Sequence, residues 1–438
     1  MILFCFSFSG FAEENLIRWH PVQNKLDAAI SDLSVNEALS RLASATRWKI
    51  YVQPGLQKQV NVKFQGVSSG EGLRLLLGSL NYALLPGPNG TKKLFIFDRT
   101  ADQATQFIKS TLEPSKARDW LKKEVIISLS PDSTLDPDKL AKELGGKVVG
   151  RADEMKSYRL QFESEEMAQN AREKFAEMED VRTDHNFAVE QPIQRERTLN
   201  SQGLPQIQPS SSSGEGVRVA IIDTALQPLE GQAASFLGSV THVAGQPGEF
   251  PAEPTHATSM FHTFLNTWAS LSESGASPLV IDVIDVYGAN VSSSTFEVAK
   301  GLQVAIKQGA DIVNMSLGGD GQSLIVDELI ALGTARGTMF LGAAGNAPTG
   351  QPTYPAANPL VLAVTTPASY ANKADFVDLV GPARSMIEYG GQKWIISGTS
   401  PGTASMSALA AYYRSKGLSP TQVEGVLRQT HSYNAGVK

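Results

Sequence analysis

The 438-residue chain holds one cysteine, Cys5, which excludes an intramolecular disulfide and a metal site built from several thiolates. It has no basic block, and 38 Lys and Arg stand against 44 Asp and Glu for a net charge of −6. With no interleaving of arginine and aromatic residues, that balance argues against a nucleic-acid backbone as partner. No stretch reaches the roughly 18 apolar residues that a membrane-spanning helix needs. No histidine pair has the spacing of a zinc peptidase, and no acidic loop has the spacing of a calcium-binding motif. What remains is an ordinary globular composition in a chain too long for one core, so two or three domains are expected.

The chain opens MILFCFSFSGFA, followed by acidic EEN, with small residues at Gly10 and Ala12. Residues 1–20 therefore read as a signal-peptide-like segment without a basic start, plus a lead-in. That reading implies export, with Cys5 removed; an ordinary N-terminal strand is the alternative. Residues 21–100 read as a small mixed domain. Ser34 and Glu37 form a capping box before the apolar stripe Ala38, Leu39 and Leu42, and Ser68 with Glu71 repeats the device. WKIYV and VNVKF read as strands, and NYALL and KKLFIF flank Asn89-Gly90 as a hairpin. This strand, helix, two strands, helix, hairpin order resembles the short N-terminal domain of secretins and TonB-dependent receptors. The resemblance implies a contact module for an outer-membrane or envelope protein.

Residues 124–192 repeat strand and helix as βαββαβ: EVIISL, DPDKLAKEL, GKVVG, SYRLQF, SEEMAQNAREKFAEM and a last strand near HNFAVEQ. That order suits an open ferredoxin-like sandwich, which by itself says little about function. Residues 193–216, IQRERTLNSQGLPQIQPSSSSGEG, are polar and without periodicity, and read as an exposed linker open to cleavage.

From 217 to 438, apolar runs alternate with helical patterns: VRVAIID, PLVIDVIDV, ADIVNMSL, GTMFLGAAG and PLVLAVTT. Continuous apolar strands joined by helices indicate an α/β fold with a parallel sheet buried on both faces. Ligands gather at the carboxyl ends of such strands. Asp223, Ser316 and Asn346 fall there; alone, each is as well explained as a cap or turn former. His256 lies in the first turn of a helix that Thr255 can cap, with Met260, Phe264 and Trp268 on its apolar face. A lone histidine there is ordinarily structural, as His20, His185, His262 and His431 are expected to be. Ser400 completes an Asp, His, Ser order. A serine hydroxyl becomes a nucleophile when an imidazole takes its proton and a carboxylate fixes that imidazole. A donor must also face the oxyanion, and Asn346 supplies one.

VAIIDTAL, THATSMFHTF, IVNMSLGG, LGAAGNAPTG, YPAANPLVLAV and SGTSPGTASMSALAA, in this order, resemble the subtilisin family of serine peptidases over residues 217–435. The resemblance implies a parallel-sheet αβα catalytic domain that hydrolyses peptide bonds through an acyl-enzyme. It puts Asp223, His256 and Ser400 on the triad positions and Asn346 on the oxyanion asparagine. It puts Ser316, Leu317 and Gly318 on the edge that pairs with substrate, and Ala344 and Gly345 on the wall of the pocket before the scissile bond. THVAG at 241–245 imitates part of the family's histidine signature, but the place of the base falls on Ser239, so His256 is preferred to His242. Ala257 and Ser259 depart from the family's Gly and second His, and Pro401-Gly402-Thr403-Ala404 replaces its Met-Ala-Ser-Pro. Pro401 is compatible if it occupies the first helical position.

The resemblance extends to residues 124–192, which look like the family's inhibitory propeptide, with FAVEQP at 187–192 as the tail in the cleft. It implies self-cleavage near 190–215, against a permanent interdomain contact. The expected partners are then a polypeptide substrate and the chain's own propeptide-like domain, with no nucleic acid and no membrane span. Calcium is common in the family, yet no motif here supports it, so no cofactor is assigned. The expected function is an exported serine endopeptidase, periplasmic, outer-membrane-associated or extracellular. The alternative is a catalytically weak or inactive subtilisin-like fold kept as a peptide-binding module at the cell envelope.

Overall fold

A computed structural model describes residues 15–20, 24–46, 48–53, 56, 58–86, 92–98, 106–107, 120–192, 195–199, 216–271 and 278–433. The signal-peptide-like stretch with Cys5, the Asn89-Gly90 turn and the four serines at 210–213 lie outside these residues. The chain divides into two compact units, residues 1–116 and 117–438.

In the first unit, β1 (Leu16–His20) and β2 (Lys25–Ser34) precede α1 (Val35–Thr46), β3 (Lys49–Val52), β4 (Gln59–Ser68), α2 (Ser69–Leu77), β5 (Asn81–Pro86), β6 (Lys92–Phe97) and β7 (Gln106–Phe107). They form two sheets, ordered β1-β2-β4 and β5-β6-β3-β7. The capping box at α1 is present: Glu37 N–H donates to Ser34 Oγ at 3.3 Å and Ser34 N–H to Glu37 Oε2 at 3.0 Å. At α2 one half is made, Glu71 N–H to Ser68 Oγ. Ala38, Leu39 and Leu42 are fully buried against Leu73, Ile50 and Ile96, as the 3.6-residue spacing requires. The first strand starts before residue 21: β1 pairs with β2, and Trp19 meets Trp48 edge to face at 5.3 Å. A five-residue strand gains its identity from its partner, so its pattern alone was weak.

The second unit begins with β8 (Glu124–Leu129), α3 (Pro137–Glu143), β9 (Gly146–Ala152), β10 (Ser157–Phe162), α4 (Glu165–Glu177) and β11 (Val181–Asp184). The antiparallel order β11-β8-β10-β9 is that of a ferredoxin-like sandwich. Val125 and Ile127 point to its own core with Leu160 and Phe175, while Ile126 joins the core of the larger domain. One sheet thus serves two interfaces by its two-residue alternation. Its fourth strand is 181–184, not HNFAVEQ. Residues 188–190 form β12 (Ala188–Glu190), which leaves the sandwich and pairs elsewhere. Part of the 193–216 linker is also a strand, β13 (Arg195–Leu199).

The remainder comprises β14 (Val217–Asp223), β15 (Leu237–His242), α5 (His256–Leu271), β16 (Leu279–Asp285), β17 (Ser292–Ser294), α6 (Thr295–Lys307), β18 (Ile312–Met315), α7 (Leu324–Ala335), β19 (Met339–Ala343), β20 (Val361–Thr365), β21 (Leu379–Val380), β22 (Arg384–Tyr389), β23 (Gln392–Ser397), α8 (Thr399–Ser415) and α9 (Pro420–His431). Seven strands form one parallel sheet, β15-β16-β14-β18-β19-β20-β21. Val219 and Ile221 face α5 and α8; Ala220 and Ile222 face α6 and α7. Both faces are covered, which is why the strands read as continuous apolar runs. β15 escaped the pattern because it is a half-exposed edge strand. Beside the sheet, β13, β23 and β22 form an antiparallel sheet.

Candidate active site

β14 lies between β16 and β18, and the order of connection reverses about it, so the crevice at its carboxyl end is where such sheets hold ligands. Asp223 ends β14 there and is fully buried. Its two carboxylate oxygens each lie 2.8 Å from His256 Nδ1. A third bond, from Thr224 N–H to Asp223 Oδ1 at 2.7 Å, holds the carboxylate.

His256 is the first residue of α5, and Thr255 caps that helix by accepting the Thr258 N–H at 3.2 Å. Thr255 Oγ1 also donates to Ala225 O, and Ala257 N–H donates to Thr224 Oγ1 at 3.0 Å. The threonines therefore lock the end of β14 to the start of α5, and the Asp–His geometry follows from that joint. A buried carboxylate on Nδ1 fixes the imidazole tautomer and leaves Nε2 as the proton acceptor.

Ser400 is the second residue of α8, after the N-cap Gly398. Its Oγ donates to Ser316 O at 3.3 Å, and Ser316 Oγ donates back to Ser400 O at 3.2 Å. Asn314 Nδ2 bonds Ser316 Oγ, and Ser407 Oγ bonds Asn314 Oδ1, extending a buried chain from β18 to α8. The structure thus joins Asp223 to His256 and Ser400 to Ser316. It forms no Ser400–His256 hydrogen bond among the described residues.

Asn346 follows β19. Its Oδ1 accepts from Thr399 N–H at 2.8 Å and from Thr399 Oγ1 at 3.2 Å, which turns Nδ2 to the opposite side. Gly398, at φ +150°, leaves room there, since a Cβ would come within 3.2 Å of Asn346 Nδ2. The Ser400 N–H lies in the first helical turn, where no intrahelical acceptor exists. This corner therefore offers two donors of the kind that stabilise a developing oxyanion.

Pro401 stands third in α8, not first. The position is still tolerated because the first-turn N–H groups lack intrahelical acceptors. Gly402 is a packing requirement: a Cβ on it would lie 3.0 Å from Pro382 O and 3.1 Å from Thr366 Cγ2. Leu317 is buried, and a Cβ on Gly318 would meet Thr353 Cγ2 at 2.7 Å. Ala344 N–H donates to Val364 O, and Gly345 N–H to Thr399 Oγ1 at 3.3 Å, so this pair ties β19 to its neighbours.

The tail of the sandwich reaches the same region. β12 pairs antiparallel with β17, setting Glu190 opposite Ser292. Val189 forms one wall of a pocket whose other walls include Leu317, Val298, Val326, Tyr354 and Pro355. Phe187 covers Gly321, and Ala188 O lies 2.9 Å from where a Gly319 Cβ would sit. Beyond residue 194 the chain pairs again: Arg195 of β13 opposes Ser397 of β23, three residues before Ser400.

A second Asp–His pair stands beside the first. His242 Nδ1 lies 2.9 Å from Asp285 Oδ2, and Asp285 is in register with Asp223 across β16 and β14. The Ser239 hydroxyl is committed to Asp282 at 2.7 Å. His262 and His185 are held neutral: burial lowers each to about 4, aided at His185 by Arg172. Residue-by-residue reading missed Thr399, Tyr287, Asp184 and Asn186, because their roles arise from partners distant in sequence.

Comparison with known proteins gives two matches to family models. Residues 214–437 match the subtilase family, and residues 108–183 match the fervidolysin N-terminal prodomain. M-protease of Shouchella clausii is 28% identical over 221 residues, covering 48% of this chain and 57% of its own length. Subtilisin Savinase of Lederbergia lenta is also 28% identical over 221 residues, with 81% of its length covered. The chain thus spans little more than half of the M-protease sequence. The crystal structure of fervidolysin from Fervidobacterium pennivorans shares the fold at a TM-score of 0.55 and 18% identity, covering 72% of this chain and 58% of that one. With the subtilase match spanning slightly more than half of its 438 residues, the chain belongs to the subtilase family.

Proposed function

We propose that the chain is a serine endopeptidase in which Ser400 attacks the peptide carbonyl and His256 takes its proton. Asp223 orients and stabilises the imidazolium, and Asn346 with the Ser400 N–H donates to the oxyanion. The observation that carries this reading is the buried Asp223–His256 pair at 2.8 Å, held at the carboxyl end of the central strand. The Ser400 hydroxyl must turn from Ser316 O to His256 for the first step. Such bonds commonly tighten only with substrate bound.

The docked β12 supports a further element of the reading. The prodomain-like sandwich lays its tail in the cleft, and the chain is cut within the step from Glu190, paired with β17, to Arg195, paired opposite Ser397 of β23. The apolar leader supports export, and the domain at 21–100 would hold an envelope partner.

A fluorophosphonate serine probe tests the chemistry. Mature wild type is expected to label, and Ser400→Ala to lose the label while keeping its unfolding midpoint. Because Ser400 Oγ is turned toward Ser316 O, the rival is a peptide-binding module without turnover. Absence of labelling in correctly folded protein freed of residues 1–194 would overturn the peptidase reading and favour that rival.

A further inference from the structure

Tyr287 lies just past the end of β16, with its ring in the core that also holds Val189 of the tail and 1% of its surface exposed. Its N–H donates to Asp285 Oδ1 at 2.9 Å, which fixes the backbone. Its hydroxyl donates to the Glu190 carbonyl of the docked tail at 3.0 Å, its one hydrogen bond among the described residues. Burial, and then the negative charges of Asp223 and Asp285, hold this phenol well above its ordinary range, so it stays a neutral donor. When the tail leaves, the hydroxyl loses this acceptor and is open to the carbonyl of whatever extended chain next lies along β17.

We propose that Tyr287 is a substrate-positioning residue, donating its hydroxyl to a main-chain carbonyl of substrate on the amino side of the scissile bond. The inference rests on the peptidase reading above. The tail supplies the geometry: its backbone is extended along β17, its Val189 forms one wall of the neighbouring pocket, and the Glu190 carbonyl meets Tyr287. Every peptide residue carries a carbonyl, so this contact reads the register and reach of an extended chain, not its side chains. Its ligand is an unfolded polypeptide segment long enough to lie along Ser292–Ser294.

Tyr287→Phe removes the donor and little volume. Matured wild type and variant are compared on two fluorogenic peptides, one extending past the Glu190 position and one ending short of it. The variant is expected to lose about three- to tenfold in kcat/KM on the long peptide and nothing on the short one. A thioamide at the contacted residue, a weaker acceptor, should slow the wild type and leave the variant unchanged. Equal loss on both peptides, or none on the long one, overturns the proposal. If wild type cleaves neither peptide and takes no fluorophosphonate, the peptidase reading fails. Fluorescence anisotropy of the labelled long peptide then decides Tyr287 separately: about three- to tenfold weaker binding by the variant supports the contact, and equal binding overturns it.

Discussion

Gly402 shows how one missing methyl group shapes the start of α8. The loop after β21 packs against it so closely that a Cβ on Gly381 would sit 2.7 Å from Gly402 O. Pro401-Gly402 is therefore the solution to a tight backbone contact, and it leaves Ser400 clamped through Ser316 on the other side. Gly402→Val should destabilise the protein by about 1–3 kcal/mol through overpacking. That is a fall of roughly 2–12 °C in melting temperature for a domain of this size, readable by calorimetry. An unchanged melting temperature would mean that the contact relaxes at no cost. The same local logic explains which site residues could be read directly. Asp223, His256, Asn346 and Ser400 each sit at the end of a strongly patterned strand or helix. Thr399 and Tyr287 look like ordinary turn and core residues until their partners, Asn346 and Glu190, are brought to them.

The helices α6 and α7 are capped from outside their own domain. Asn186 Oδ1 accepts from Phe296 N–H at 3.1 Å and from Thr295 Oγ1, at the first turn of α6. Asp184 Oδ2 accepts from Ile325 N–H and Ser323 Oγ at the start of α7. A helix terminus leaves several N–H groups without partners, and an oxygen acceptor there contributes about 0.5–2 kcal/mol. Asp184→Ala in the full chain carrying Ser400→Ala is expected to cost about that much, measured as a shift in the urea midpoint. Asn186→Ala should cost more, since Asn186 is fully buried and also bonds Glu124. Midpoints equal to the parent for both variants would show that the caps add nothing to the hold of the sandwich. The strands of the parallel sheet were legible as apolar runs because both of their faces are covered. β12 was legible as a strand near HNFAVEQ but not its pairing with β17, and β13 read as linker, because a short segment takes its partner from whichever edge is brought to it.

In the second unit, Glu190 is paired opposite Ser292 and Arg195 opposite Ser397, three residues before Ser400. The proposed self-cleavage therefore has a narrow address. Protein recovered outside the cytoplasm should carry a mature amino terminus between residues 191 and 195, read by intact mass and terminal sequencing. The released fragment containing residues 21–100 should partition with the envelope. An active, uncut chain would sink self-processing, and recovery only from the cytoplasm would sink export. The amino-acid order alone determined the α/β class, the βαββαβ module and the four polar residues at strand and helix ends, because burial periodicity and turn chemistry are local signals. Tertiary structure alone decided that Asp223 meets His256, that Ser400 turns to Ser316, that the sandwich caps α6 and α7, and that its tail pairs with β17. Those are contacts between residues far apart in sequence, and no local pattern encodes a partner's position.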